Sequence, residues 1–220
     1  MNKSKEKSSG VTGIVSHQPN QQMNVETDIK NQYSKVFKSS DWMTFKLMAN
    51  FYFENSAKLL KKDISIEEPF KLMARNIQKR LFIGIGTELL LKSLFLKNDY
   101  CINKVKKKKT PNPNKPTKFN SISDLSLLNP ADTYTLNSLI DSVTEIFTSS
   151  NHSDFERGLK IAKVFRNKEG HVAVLWHKAD RQNYTDIENC IIEIYDKGFD
   201  EKLNFKISFL DGESAIFSIG

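Results

Sequence analysis

Cysteine, histidine and glycine are all scarce in this chain of 220 residues, which holds two, four and nine of them, and each shortage removes a class of protein. Cys101 and Cys190 lie far apart, each in or beside an apolar helical pattern, with no C-x-x-C spacing and no neighbouring histidine. That excludes a disulfide framework and a cysteine zinc site, and predicts two buried, reduced thiols. No set of histidines, cysteines or carboxylates has metal-ligand spacing, so neither a metal nor another cofactor is expected. The "GIG" at 84–86 lacks the third glycine and the preceding strand of a dinucleotide loop; glycines that let another helix approach closely are the expectation there. Nor is there a phosphate-binding glycine loop or a nucleophile elbow. No apolar run is long enough to cross a bilayer, and "MNKSKEKSSG" carries positive charge without an apolar core behind it, so a cytoplasmic protein that avoids the membrane is expected.

What the chain does have is basic charge. Thirty-three lysines and arginines against 26 acids give a net charge of +7, which favours an anionic partner such as nucleic acid. Residues 1–36 are rich in Ser, Asn, Gln and Lys, with scattered single hydrophobes. Such a composition buries too little apolar area to offset ordering and predicts a disordered arm. From Ser40 or Asp41 the pattern turns helical, with Trp42, Phe45, Met48, Tyr52 and Leu59 at helical spacing. A second helix starts around Pro69 and is apolar on nearly all faces from Leu81 to Leu96, as suits the centre of a bundle.

Residues 103–118 combine Lys104, Lys106, Lys107, Lys108 and Lys109 with three prolines and predict an exposed basic loop. Leu136, Leu139, Ile140, Val143, Ile146 and Phe147 mark a third helix. Ser153 and Glu156, spaced as a capping box, start a fourth with Phe155, Leu159, Ala162 and Phe165 inward. Ile187, Ile191 and Ile194 mark a fifth, with Gly198 as its stop. In 201–220 an Asp-Gly between two short apolar runs predicts a small β-hairpin. The fold class is therefore all-α: about five helices over 37–200, between the disordered arm and the terminal hairpin.

One helix end concentrates chemistry. In "IAKVFRNKEGHVAVLW" Arg166 is followed by Asn167 and, five positions on, by His171. In an unbroken helix positions five apart differ by about 140° of rotation, so the two converge only if the backbone turns, and Gly170 is the residue expected to let it turn. Histidine can take a proton from a hydroxyl and return one to a leaving oxygen. Arginine can hold phosphate oxygens and neutralise charge building at phosphorus. Asparagine can orient either without changing the charge balance. Together they suit metal-free RNA cleavage by the ribose 2′-OH, which would spare DNA. Arg157, Lys160 and Lys163, every third residue before Arg166, form a basic strip that could lead RNA in, with Lys168 and the loop lysines 106–109 as further phosphate contacts. An ordinary solvated face accounts for the strip equally well.

"RNKEGH" resembles the R-x-x-x-x-H motif, with a polar residue after the arginine, of the HEPN superfamily of all-helical nucleases from toxin–antitoxin, abortive-infection and CRISPR-associated systems. The resemblance covers roughly residues 38–198, and "GIGTELLLKSLFLKNDY" is similar to the long second helix of such domains. It implies a metal-independent endoribonuclease leaving a 2′,3′-cyclic phosphate, of toxin or phage-defence type. It also implies a homodimer whose two motifs meet in one composite site, and an antitoxin or other regulatory partner. Carried over by residue, Arg166 would bind the phosphate, Asn167 position it and His171 act as acid and base; Glu88 is the weaker candidate, as a supporting residue that holds Arg166, and an exposed or capping glutamate is the reading preferred for it. The tyrosine that one branch uses for neutralisation by nucleotidylation is absent from "HVAVLW", so that mode does not carry over. A non-catalytic helical module that binds RNA or protein is the alternative these residues leave open.

Overall fold

The computed structural model describes residues 25–59, 69–106, 115–171 and 181–203. The chain divides into two compact units, Met1–Tyr33 and Ser34–Gly220. In the first, helix α1 (Val25–Gln32) lies inside the stretch that composition marks as disordered. Its first turn carries Glu26 and Asp28, which suit a helix N-terminus, and Glu26 pairs with Lys30 one turn on.

The second unit is mainly helical, with a small antiparallel strand region. Ser39–Asp41 form a 3₁₀ turn leading into α2 (Trp42–Lys58). Helix α3 (Pro69–Lys97) packs against both α2 and α5 (His152–His171), and α5 packs against α6 (Arg181–Glu193). The expected central helix is thus α3. Ile83, Leu90, Leu91, Leu94, Phe95 and Leu96 are all 0 % exposed, so α3 buries residues around most of its circumference. The glycines act as expected. A Cβ on Gly86 would lie 2.6 Å from the Phe53 ring of α2, and one on Gly84 would lie 2.5 Å from the backbone nitrogen of Arg166 in α5. Helix α6 widens into a π-helical turn, Ile194–Gly198, and stops at the predicted glycine.

Several expectations are corrected. The region between the second and third predicted helices holds strands: β1 (Tyr100–Cys101) pairs with β3 (Thr117–Lys118), and β2 (Asn103–Val105) with β4 (Leu128–Thr133), both antiparallel. Cys101, Ile102 and Val105 are buried beneath them, so the basic loop narrows to the residues after 105, of which 107–114 lie outside the described residues. The third helix is only α4 (Leu136–Ile140), capped by the Thr135 hydroxyl and followed by a 3₁₀ turn, Val143–Glu145. Asp141, Ser142, Val143 and Thr144 are weak helix formers and end it, yet Leu136, Leu139, Ile140, Val143 and Phe147 all stay in the core. On α2 the buried face is Lys46, Ala49, Phe53 and Ser56, while Met48 is 45 % exposed. Helix α5 starts two residues earlier than predicted. The Asn151 side chain, not Ser153, accepts from the Asp154 N–H, while Glu156 pairs with Lys160 instead of closing a capping box. Cys101 and Cys190 are free and buried. The predicted hairpin beyond residue 203 lies outside the described residues.

Candidate functional site

Three residues of α3, spaced i, i+4, i+8 and therefore stacked on one face, build the site. Gly84 lets the α5 backbone come against α3 at Arg166 itself. One turn on, Glu88 accepts the Arg166 Nε–H at 2.8 Å. A further turn on, Lys92 lies 2.8 Å from the other oxygen of Glu88 and donates to the Thr133 hydroxyl of β4 at 3.1 Å. The glycine sets where the arginine backbone sits and the glutamate sets where its guanidinium points.

The electrostatics follow from burial. The Glu88 and Lys92 side chains are 12 % and 11 % exposed, whereas Arg166 keeps 41 % of its surface. Burial alone pushes the Glu88 carboxyl up. The charges and hydrogen bonds of Lys92 and then Arg166 outweigh that and hold it below its ordinary value. Glu88 is thus a carboxylate with one oxygen on each cation, and the triad carries a net single positive charge.

Beside Arg166 opens a cleft of about 360 Å³, lined by Glu88, Arg166 and Asn167 on one side and by Thr133, Thr135 and Asn137 on the other. Both Glu88 oxygens are engaged, while Arg166 Nη2 makes no bond among the described residues. Asn167 accepts from Arg166 Nη1 through Oδ1 at 3.5 Å, so its amide N–H groups are not used by that contact. The Thr133 oxygen accepts from Lys92, so its own hydrogen is left to donate. A cleft with free N–H groups beside an arginine is suited to an acceptor-rich anion.

The other predicted residues are distributed differently. Helix α5 continues through Gly170 to His171, so the turn expected at Gly170 does not occur before the histidine. Positions 166 and 171 therefore stand about 140° apart around a single helix; the His171 side chain, like Lys107, Lys108 and Lys109, lies outside the described residues. The strip before Arg166 is engaged in local contacts. Arg157 grips Asp186 of α6 through Nε at 2.6 Å and Nη2 at 2.9 Å. The Arg157 hydrogen bond is the largest influence on the Asp186 carboxyl and keeps it below its usual range. Lys160 pairs with Glu156 at 2.8 Å, and Lys163 donates to Asn137 Oδ1 at 2.6 Å. Lys168 is exposed, and Lys106 is exposed and bonded to the Ser126 carbonyl.

Sequence reasoning missed Lys92, Thr133 and Asn137. For Lys92 a signal existed, because Glu88 and Lys92 are the charges in the otherwise apolar run from Leu81 to Leu96, four residues apart. Opposite charges at that spacing inside a buried helix point to an internal ion pair. Among the described residues no group of three histidines, cysteines or acids could hold a metal ion, and no helix is long and apolar enough to cross a membrane. No protein-family model, no curated protein and no solved structure matches the chain.

Proposed function

We infer that the protein is a metal-independent endoribonuclease. The observation that carries this reading is Arg166, held by Glu88 at the mouth of a cleft with Asn167 beside it. The resemblance of "RNKEGH" to the R-x-x-x-x-H motif and the mainly helical fold agree with it. In the proposed reaction the ribose 2′-oxygen attacks the adjacent phosphorus, the new O–P bond forms as the bond to the 5′-oxygen breaks, and a 2′,3′-cyclic phosphate remains. Arg166 stabilises the extra negative charge at phosphorus, Asn167 orients the phosphate, and His171 handles the protons. Because an unbroken helix sets 166 and 171 on different faces, the site is completed by a second copy, the imidazole of one subunit serving the arginine of the other. That imidazole takes one proton from the 2′-hydroxyl and returns one to the departing 5′-oxygen, so the protons balance. A toxin or phage-defence role, with a regulatory partner to restrain it, is the biological setting this chemistry suits.

The same unbroken helix favours a second reading, a helical module that binds RNA without cutting it. The two separate cleanly. Protein purified in EDTA is incubated with mixed RNA and the new termini are read by mass spectrometry. The enzyme reading expects 2′,3′-cyclic phosphate ends that vanish, by a factor of about 100 or more, in His171→Ala and Arg166→Ala. Cutting that needs added metal or survives His171→Ala refutes it, and salt-sensitive binding without new ends supports the second reading.

A further inference from the structure

The cleft extends past the arginine, and its far wall is not explained by holding one phosphate. That wall is the 133–137 segment, which joins β4 to α4 and presents two threonine hydroxyls and an amide. Thr133 is the informative member. Its backbone pairs in register with Asn103 of β2, and its oxygen accepts from Lys92, whose ammonium is anchored on Glu88. With one lone pair engaged, the hydroxyl keeps its hydrogen to donate toward the cleft. Asn137 is also fixed in orientation, with Oδ1 accepting from Lys163 at 2.6 Å and Nδ2 donating to Asp141 at 2.8 Å. One N–H and one lone pair of that amide remain. Small-ligand clefts run from roughly 300 to 1,000 Å³, so about 360 Å³ is room for one nucleotide and not for a stacked pair.

We propose that this cleft is a ribonucleotide subsite, in which Arg166 and Asn167 take the phosphate, the Thr133 hydroxyl donates to a ribose oxygen, and the Asn137 amide meets the edge of the base. Lys92 is a positioning residue that fixes the Thr133 oxygen at the cleft wall. The proposal deepens the nuclease reading, since it names the ribose as the feature recognised and the 133–137 segment as what recognises it. The subsite exists within one chain and does not require the second copy.

Binding of single nucleotides by the full-length His171→Ala protein tests this apart from cleavage. The probes are an equimolar set of ribonucleoside 3′-monophosphates, the corresponding 2′-deoxy compounds, and inorganic phosphate, followed by calorimetry. The ribonucleotides are expected to bind at least about tenfold more tightly than inorganic phosphate and several-fold more tightly than the deoxy set, a hydrogen bond to a desolvated polar group having that size. Adding Thr133→Val should abolish the preference for ribose over deoxyribose while leaving phosphate affinity unchanged, and Thr133→Ser should restore it. Near-ultraviolet circular dichroism of each variant checks that the fold persists. Equal affinity for nucleotide and inorganic phosphate overturns the proposal, as does a ribose preference that survives Thr133→Val in a folded protein. If cyclic-phosphate ends form with wild-type protein but the preference is absent, the subsite alone is wrong. A ribose preference that follows Thr133 in a protein that never cuts RNA supports the subsite and removes the nuclease.

Discussion

Glu88 is shared by two cations that differ in burial, so removing one group of the triad does not cost the same as removing another. Glu88→Ala leaves Lys92, whose side chain is 11 % exposed, without its counter-charge. Breaking a buried pair from one side costs on the order of 3–5 kcal/mol. Arg166→Ala removes a side chain that is 41 % exposed and leaves the Glu88–Lys92 pair intact. Exposed pairs are worth about 1 kcal/mol or less, so the arginine should be nearly dispensable for folding. Urea unfolding of the two variants gives the comparison, with midpoints read at constant slope. Equal losses would make Arg166 a structural ion-pair partner and remove the main support for a phosphate-binding role. A small loss for Arg166→Ala beside a large one for Glu88→Ala would agree with the proposed phosphate-binding role.

At the scale of elements, the start of α5 depends on a carboxylate from another helix. Glu193 near the end of α6 accepts from the Ser150 N–H at 2.6 Å, the Ser149 hydroxyl at 2.7 Å and Lys197 at 2.8 Å, pinning the turn that leads into α5. Partial burial works against its charge, but these hydrogen bonds prevail and draw the carboxyl down to about 2. A carboxyl lowered on folding stabilises the protein above its unfolded value and loses that contribution as pH falls. Stability should therefore decline between roughly pH 4.5 and 2, and Glu193→Gln should flatten that limb of a thermal-midpoint profile while lowering its neutral plateau. A limb unchanged by the substitution would mean that the acid sensitivity arises elsewhere. How readable each element is in sequence follows from its length and environment. Helices α3, α5 and α6 are long enough for a 3.6-residue period, and their predicted inward residues are buried. The strands span two to six residues each and leave no period to detect. Helix α2 is harder to read because its large residues divide between two faces: Phe53 is buried and Trp42 and Phe45 pack against the core, while Met43, Leu47, Met48 and Phe51 are exposed. Ala49 and Ser56 pack inside, and Lys46 is buried by an ion pair to Glu201 over the Trp42 and Phe199 rings. Size-weighted periodicity therefore places Trp42 and Phe45 correctly but misses the small and charged residues that line the buried face of such a helix.

For the molecule as a whole, two surface properties stand out. The first is that the basic strip before Arg166 is committed to local contacts. Arg157, Lys160 and Lys163 each have a partner, which leaves Arg166 as the member of that strip whose guanidinium fronts a cleft. The motif was legible in the sequence because it is local. The cleft was not, because its walls come from α3, α5 and the β4–α4 segment, which are far apart in the chain. The second is an apolar stripe on α2, where Met43, Leu47 and Phe51 are 52 %, 59 % and 56 % exposed. Substitutions there should be nearly neutral, with Leu47→Ser and Phe51→Ser each within about 0.5 kcal/mol of wild type. Phe53→Ala, which empties the space against Gly86, should cost about 3–5 kcal/mol. Denaturant midpoints decide between this orientation of α2 and the one its bulky residues suggest. Gly84 gives the packing a last implication. The hydrogen it carries in place of a side chain is what the main chain at position 166 rests on, so the guanidinium is aimed from a seat with no clearance. A methyl group at 84 would tilt the arginine off its mark, so if the proposed function holds, Gly84→Ala should weaken phosphate binding from a position that itself makes no contact with it.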